Sequence, residues 1–153
     1  MSRRTVLETG WLCTLAAAAI PGAVGAHAGS GLSPKSVETI RKYYAAWEKR
    51  DWHPLDVLLA DSFTFSSANN DDHISKSAFK ARCWESQIDS IDRFQLERMI
   101  GSGDEAFVMY VGRTKSAKTF RNVEYFRLRD AKVEAIECYF GTASSFPSAM
   151  STV

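Results

Sequence analysis

One carboxylate in this sequence stands where chemistry is possible. Glu124 lies within RNVEYFRLRDAKVEAIECYFG, residues 121–141, whose apolar residues alternate as in two strands joined by a tight turn. Alternation puts Glu124 on the same strand face as Asn122 and Phe126, a face that is mostly apolar. A carboxylate there must be paired, protonated or reached by water, because an isolated buried charge is very costly.

The register of the preceding hairpin decides which residues share that face. A turn at Ser116-Ala117 would pair Met109 with Glu124. Phe107, Met109 and Val111 would then lie on the same face as Glu124, and this face would be the buried one.

The last hairpin allows two registers. A two-residue turn at Asp130-Ala131 would set Glu124 opposite Glu137 and would require positive φ at a residue with a Cβ. A three-residue loop, residues 129–131, sets Glu124 opposite Ile136, so that apolar residues meet. We therefore predict the three-residue loop, with Glu124 pointing inward.

An inward Glu124 has two interpretations. In the structural one it forms an ion pair with Arg113 on the same face or with Arg82 from a helix. In the functional one its pKa is raised by apolar surroundings, so that it can donate a hydrogen bond to a ligand. The sequence leaves both open, since structural ion pairs also perturb pKa values.

The elements that must position Glu124 follow from periodicity. Pro34 begins a helix that Ser33 can cap, with an apolar stripe through Val37, Ile40, Tyr43 or Tyr44, and Trp47. A short helix, a strand, a polar loop and a third helix follow: HPLDVLLAD, SFTFSSA, NNDDH and SKSAFKARCWE. Four strands come last: FQLERMI, EAFVMYVGRT, TFRNVEYFRL and KVEAIECYF. Helices before hairpin-linked strands indicate an α+β domain with an antiparallel sheet.

The composition limits the class of protein. The chain has 153 residues, 45% of them apolar and 24% charged, as expected for one globular domain. The formal net charge is +1 and the basic residues form no stripe, which argues against a nucleic-acid partner. No apolar stretch reaches the ~20 residues that a membrane-spanning helix needs.

The first 28 residues resemble an export signal. Arg3 and Arg4 precede an apolar stretch at 11–20 and the small-residue pattern at 26–28, and SRRTVL resembles a twin-arginine signal. We expect cleavage to leave a domain of residues 29–153 in the periplasm or outside the cell. The alternative is a misassigned start site and a cytoplasmic protein.

The two cysteines of the expected mature domain, Cys83 and Cys138, lack C-x-x-C spacing. The sequence favours two separate buried thiols, although one bridge between them is possible in an oxidising compartment.

Two stretches resemble a known superfamily. IRKYYAAWEKRDWHPLDVLLADSFTF is similar to the opening, and FRNVEYFRLRDAKVEAIECYFG to the closing hairpin, of nuclear transport factor 2-like proteins in the SnoaL-like and steroid Δ-isomerase branches. The resemblance covers roughly residues 34–141. It implies a cystatin-like cone, in which about three N-terminal helices pack on a curved antiparallel sheet around a cavity.

The resemblance also implies roles for three positions. Tyr43 falls where the steroid isomerases place an oxyanion-hole tyrosine, and Glu124 where they place an aspartic acid that stays protonated. Their general base falls at Ser67. A serine cannot take an α-proton at neutral pH without an activating partner, so the proton carrier must be sought elsewhere.

Candidates for the missing base come next along the chain, at Asp71, Asp72 and His73. We expect His73 or Asp72 to carry the proton, His73 because its ordinary pKa suits the task. The alternative is that NNDDH is a solvated loop. These residues follow no metal-ligand spacing, and the sequence indicates no metal and no cofactor.

Together these features predict an exported domain that binds a small apolar molecule and acts, if it is catalytic, as a cofactor-free isomerase, dehydratase or hydrolase. The alternative is a non-catalytic ligand-binding or protein-interaction domain of the same fold. We expect the ligand to contact Trp47, Phe63, Phe65, Ser67, Met109, Asn122, Cys138 and Phe140. We expect a homodimer through the opposite sheet face, which would carry Val108, Tyr110, Val123 and Tyr125.

Overall fold

Helix α1, Pro34–Lys49, follows from its capping residues and its apolar stripe. The structure is a computed structural model that describes residues 31–140, so the predicted signal at 1–28 lies outside the described residues. Ser33 caps α1 as predicted, its hydroxyl oxygen accepting from the Ser36 backbone N–H at 3.0 Å. Helix α2, Trp52–Leu58, follows after a turn.

The third helix changes its geometry along its length. It is α-helical over Lys76–Phe79, π-helical over Lys80–Trp84 and α-helical again over Glu85–Gln87. A π-helical turn holds more residues than an α-helical turn and redirects the side chains that follow. Within this turn Cys83 and Trp84 are buried, whereas Arg82 stays half-exposed.

Six strands form one curved sheet in the order β2-β1-β6-β5-β4-β3. Its strands are β1 Leu59–Ser67, β2 Asp71–Ser75, β3 Ile91–Ser102, β4 Glu105–Thr114, β5 Thr119–Arg129 and β6 Lys132–Tyr139. Strands β1 and β6 run parallel and the other neighbours are antiparallel. Register shifts in four of the five pairs curve the sheet. The α+β prediction is confirmed.

The prediction that all of NNDDH, residues 69–73, forms a polar loop is wrong for its last three residues. Asp71, Asp72 and His73 belong to β2, because the chain already reverses through a turn in which Asn70 has a φ of 61°. Asp71 therefore lies opposite Ser67, at the end of β1.

The β4–β5 register differs by one residue from the predicted one. Val108 pairs with Glu124 and Tyr110 with Asn122, because the turn takes in Lys115–Lys118 rather than two residues only. The side chains of β4 that face inward are thus those of Ala106, Val108 and Tyr110. The prediction that Phe107, Met109 and Val111 face inward is wrong.

The hairpin between β5 and β6 has a two-residue turn, so the predicted three-residue loop is wrong. Asp130 and Ala131 form a two-residue turn with φ of 51° and 61°. A bulge leaves Glu134 without a partner in the ladder and shifts the register, so Glu124 pairs with Cys138 and not with Ile136. The inward direction of Glu124 is confirmed, since the residue is 6% exposed.

The helices cover one face of the sheet and enclose the core. Both cysteines in this part of the chain are buried free thiols, as the sequence favours. Within residues 31–140 no helix is long and apolar enough to cross a membrane. The residues of the core with least exposure include Ile40, Leu55, Phe63, Phe79, Phe126, Val133 and Ile136.

Candidate functional site

A cavity of about 430 Å³ lies between the helices and the sheet. This volume is that of a site for a small molecule. Its aromatic wall is formed by Tyr43, Tyr44, Trp47, Phe65, Phe79, Phe94, Tyr110, Phe120 and Phe140. Its other polar or sulfur-bearing groups include Ser67, Asp71, Cys83, Asn122, Glu124 and Cys138.

One glycine makes room for this wall. Gly112 of β4 lies opposite Phe120 of β5, and a Cβ at Gly112 would overlap the Phe120 ring. The missing side chain lets the outer end of the Phe120 ring approach the backbone of β4. A side chain at position 112 would therefore displace part of the cavity wall.

Glu124 lies on the cavity wall and is held by two tyrosine hydroxyls. Tyr44 donates to Oε2 at 2.6 Å, and Tyr110 donates to Oε1 at 3.2 Å. Burial raises the pKa of Glu124, and the hydrogen bonds from Tyr44, Cys138 and Tyr110 act in the opposite direction. The net direction is upward, so the neutral carboxylic acid persists to a higher pH in this site than it does in water.

Neither arginine that the sequence offered as a partner reaches Glu124. Arg113 forms an ion pair with Asp92 at 3.0 Å, and Arg82 forms one with Asp71 at 2.7 Å. The structural interpretation of Glu124 as one half of an arginine ion pair is therefore wrong for both candidates.

Asn122 orients the Tyr110 hydroxyl. Its Nδ2 donates to the Tyr110 oxygen at 3.1 Å, so the Tyr110 proton is directed to Glu124. Burial raises the pKa of Tyr110 and of Tyr44, and both remain neutral donors at physiological pH. Burial also raises the pKa of the Cys138 thiol, which disfavours a thiolate nucleophile.

The tyrosine that contacts Glu124 is Tyr44 and not Tyr43. Successive residues of a helix point about 100° apart, so only one of the two can meet the carboxyl group directly. Tyr43 also lines the cavity, but its ring packs against Phe126 at 5.3 Å and against Tyr44 at 5.2 Å. The hydrogen bond to Glu124 is thus made by Tyr44, the neighbour of the tyrosine to which the resemblance gives a role.

A second polar group lies on the cavity wall at the end of β1 and β2. Asp71 Oδ2 accepts from the Ser67 hydroxyl at 2.6 Å, and Asp71 Oδ1 lies 2.7 Å from Arg82 Nη2. The Asp71 side chain is 6% exposed.

His73 and Asp72, the expected proton carriers, point away from the cavity. Their side chains are 72% and 89% exposed, and they contact each other at 2.5 Å. Residues next to each other in a strand point to opposite faces, so Asp71 faces inward and Asp72 does not. His73 does not follow Asp71 inward, because its φ of 50° interrupts the alternation. Their predicted place in the site is wrong.

Two of the eight expected ligand contacts are also wrong. Met109 lies on the opposite sheet face, beside Val123. Phe63 is buried but lies behind the wall, with its ring 5.3 Å from that of Phe79. The structure brings the other six to the cavity: Trp47, Phe65, Ser67, Asn122, Cys138 and Phe140.

The sequence analysis missed Tyr44 and Tyr110 as site residues. The apolar stripe of α1 did not distinguish Tyr44 from Tyr43. The predicted β4–β5 register, which is wrong by one residue, placed Tyr110 on the outer face of the sheet. A period-two pattern starting at Ala106 would have placed Tyr110 inward. Among residues 31–140 no group of three or more His, Cys, Asp or Glu side chains is placed to hold a metal ion.

Comparison with known proteins agrees with this architecture. A model of the SnoaL-like domain family matches residues 40–136, well over half of the chain. This chain belongs to the SnoaL-like domain family. No curated protein matches the sequence.

Solved structures share the fold of this SnoaL-like domain. A protein from Kribbella flavida superposes with a TM-score of 0.64 at 18% identity, covering 72% of this chain and 90% of its own. A second Kribbella flavida protein, provisionally named a ketosteroid isomerase, gives 0.61 at 18% identity over 75% and 84%. An epoxide hydrolase from M. tuberculosis, described as LEH-like, gives 0.58 at 12% identity over 70% and 83%. These likenesses show the nuclear transport factor 2-like fold.

Proposed function

We propose that this SnoaL-like domain binds a small, mostly apolar molecule through an oxygen atom and acts on it without a cofactor, as an isomerase, dehydratase or hydrolase. One observation carries the proposal: the carboxyl group of Glu124, which pairs with neither Arg82 nor Arg113, faces an aromatic-lined cavity together with Tyr44 and Tyr110. The names of two structural neighbours, an isomerase and an epoxide hydrolase, fall within these reaction classes.

The chemistry proposed for Glu124 follows from its surroundings. A neutral carboxylic acid in an apolar cavity can donate a hydrogen bond to a carbonyl oxygen and stabilise the negative charge that develops there. Tyr44 and Tyr110 hold the carboxyl group in place before the ligand arrives. Such fixed donors need no reorganisation when charge develops on the ligand.

A non-catalytic ligand-binding domain is the second candidate. It is favoured by the observation that each Glu124 oxygen already accepts a tyrosine hydrogen bond, so the residue is satisfied by the protein alone. In that case the cavity would hold a ligand by apolar contacts, and Glu124 would contribute little to its affinity.

Binding of 2-tetralone, a fused-ring ketone, tests the proposal. We expect calorimetry to show binding to the wild type and roughly tenfold weaker binding to Glu124→Leu, the equivalent of about 1.4 kcal/mol for one lost hydrogen bond. Glu85→Leu, an exposed residue of the third helix, is the matched control and should bind as the wild type does. Equal affinity in Glu124→Leu would favour the non-catalytic candidate. A wild type that does not bind the ketone would contradict both.

We also propose that residues 1–28 direct export. The support is the sequence pattern of Arg3-Arg4, the apolar stretch and the small residues at 26–28. Expression in a bacterium with a working twin-arginine system should yield a periplasmic product that begins at Gly29. The Arg3→Lys, Arg4→Lys double variant should stay in the cytoplasm, whereas wild-type protein that keeps residues 1–28 in the cytoplasm would contradict export.

A further inference from the structure

Asp71 and Glu124 lie in one row across the sheet. Asp71 pairs with Ser67, Ser67 with Cys138, and Cys138 with Glu124, across β2, β1, β6 and β5. Residues that pair across strands point to the same face, and both carboxyl groups line the same cavity. Three strand spacings of about 4.8 Å put their backbones roughly 14 Å apart along the sheet. A small ligand in the cavity would thus lie between two carboxyl groups.

The two carboxyl groups have opposite surroundings. Glu124 receives hydrogen bonds from neutral hydroxyl groups, whereas Asp71 contacts the guanidinium of Arg82. Arg82 comes from the π-helical turn and is half-exposed, whereas the Asp71 side chain is 6% exposed. The geometry thus distinguishes the two carboxyl groups, since one lies among neutral donors and the other lies beside a cation.

The Asp71 carboxylate can still accept a proton in addition to its two contacts. Ser67 donates to Oδ2 and Arg82 contacts Oδ1, one partner on each oxygen. Oδ1 is closed off within the protein, but Oδ2 has a second lone pair and retains an acceptor position. The Ser67 hydroxyl fixes the orientation of the carboxylate and does not itself need to act as a base.

We infer that Asp71 is the proton acceptor of this site, and the inference rests on the function proposed above. Ser67 cannot accept this proton without an activating partner, and Asp72 and His73 are exposed to solvent away from the cavity. The substrate class is then a small ketone, or a compound with an equivalent electron-accepting oxygen, that has a hydrogen on the neighbouring carbon.

The proposed step balances without a further reactant. The carboxylate of Asp71 takes the proton from the α-carbon, and the electron pair of the broken C–H bond forms a carbon–carbon double bond. The π electrons of the C=O bond move to the oxygen, which accepts a proton or a hydrogen bond from Glu124. Return of the Asp71 proton to the far carbon of a conjugated double bond re-forms the C=O bond and gives an isomer. In a β-hydroxy ketone the Asp71 proton passes instead to the β-hydroxyl oxygen, the C–O electron pair leaves with water, and the enolate electrons re-form the C=O bond and make an α,β double bond.

Exchange of the α-protons of 2-tetralone in deuterated buffer, followed by ¹H NMR, tests Asp71 directly. We expect the wild type to accelerate exchange over buffer alone and Asp71→Ala to lower that acceleration by about 100-fold or more, the usual contribution of a general base. Calorimetry should show that Asp71→Ala still binds the ketone within about threefold of the wild type, which separates loss of the base from loss of the fold. Asp72→Ala is the matched control and should exchange as the wild type does.

Chemical rescue separates a catalytic role from a structural one. Sodium acetate should restore part of the exchange in Asp71→Ala, because acetate fits the vacated space and supplies a carboxylate. It should not rescue Asp71→Asn, whose amide fills that space. Asp71→Asn also serves as the test variant if Asp71→Ala does not fold.

The outcomes are distinguishable. Wild-type exchange that persists in a folded Asp71→Ala or Asp71→Asn overturns the inference and leaves the proposed function in place. Binding without exchange in the wild type also overturns the inference and favours the non-catalytic candidate. A wild type that neither binds nor exchanges the ketone contradicts the proposed function and the inference together.

Discussion

At the residue scale, two opposing effects meet at Glu124. Burial penalises its charged form, whereas hydrogen bonds from Tyr44 and Tyr110 favour that form. Burial is the larger effect, so the pKa of Glu124 is raised. A raised pKa is what a hydrogen-bond donor to a ligand requires, and it lowers stability once the solution pH rises above the ordinary pKa of 4.5.

This penalty predicts a pH-dependent comparison with Glu124→Gln. Below the ordinary pKa of 4.5 Glu124 is protonated in the folded and the unfolded states. From 4.5 up to the raised native pKa the folded state binds more protons, so the free energy of unfolding falls as pH rises. Glu124→Gln lacks this term and should become more stable relative to the wild type across that window.

Urea melts over a pH series measure this difference. At low pH we expect the two proteins to agree within about 1 kcal/mol, because the amide keeps the shape of the acid and leaves no buried charge unpaired. Glu85→Gln on the exposed surface is the matched control. A loss of about 3 kcal/mol or more at every pH would contradict the account, since it would indicate that Glu124 is charged and has a cationic partner.

At the element scale, local patterns predicted the elements better than the turns between them. Helix α1 and its Ser33 cap follow from the side chains of a single stretch. The hairpin registers depend on backbone conformations that residue type does not reveal: Ala117, Asp130 and Ala131 all have φ between 51° and 62°. L-residues other than Asn and Asp rarely adopt such values. A prediction from the turn preferences of residue types therefore places these turns at other positions.

The same limit explains which site residues were missed. Glu124 was predictable because β5 alternates regularly, and its direction does not depend on the neighbouring strands. The direction of the Tyr110 side chain could be predicted only with the correct β4–β5 register. The burial of Asp71 depends on the position of the turn between β1 and β2. Tyr44 and Tyr43 both belong to the broad apolar stripe of α1, and only the tertiary contact with β5 distinguishes them.

The turn between β5 and β6 gives a prediction about stability. Ala131 has a φ of 61°, a conformation that costs an L-residue about 1–2 kcal/mol and glycine very little. We therefore expect Ala131→Gly to raise the free energy of unfolding by about 1 kcal/mol, measured by urea denaturation.

The matched control for Ala131→Gly is Ala135→Gly. Ala135 is buried in the extended part of β6, where glycine removes packing and adds backbone freedom, so this variant should be less stable than the wild type. A destabilised Ala131→Gly would mean that the hairpin has another turn, and with it another partner for Glu124.

At the scale of the whole molecule, the sheet has an uncovered face. The residues that we expected there were partly wrong, because Val108 and Tyr110 point inward. The outward apolar side chains include those of Phe107 and Tyr139, which are 51% and 54% exposed, and the less exposed Met109, Val123 and Tyr125. We propose that a second copy of the chain covers this face, since such an apolar patch usually marks an interface.

Sedimentation velocity tests the dimer. We expect a dimer at tens of micromolar and a folded monomer for Phe107→Arg, because a guanidinium at the centre of the patch would lose its water on association. Val57→Arg is the control, since Val57 is 56% exposed on α2, away from the sheet face. A wild type that remains monomeric at this concentration would contradict the proposal.

The central claim is that Glu124 is a carboxylic acid with a raised pKa that meets the ligand in the cavity. The most direct measurement is a pH titration of its ¹³C carboxyl NMR signal, assigned by comparison with Glu124→Gln and repeated with saturating 2-tetralone. The account predicts a midpoint above 4.5 in the free protein, a further rise in Tyr44→Phe because a donor to the carboxylate is lost, and a shift of the signal on addition of the ketone. A midpoint at or below 4.5, with no response to the ketone, would contradict it.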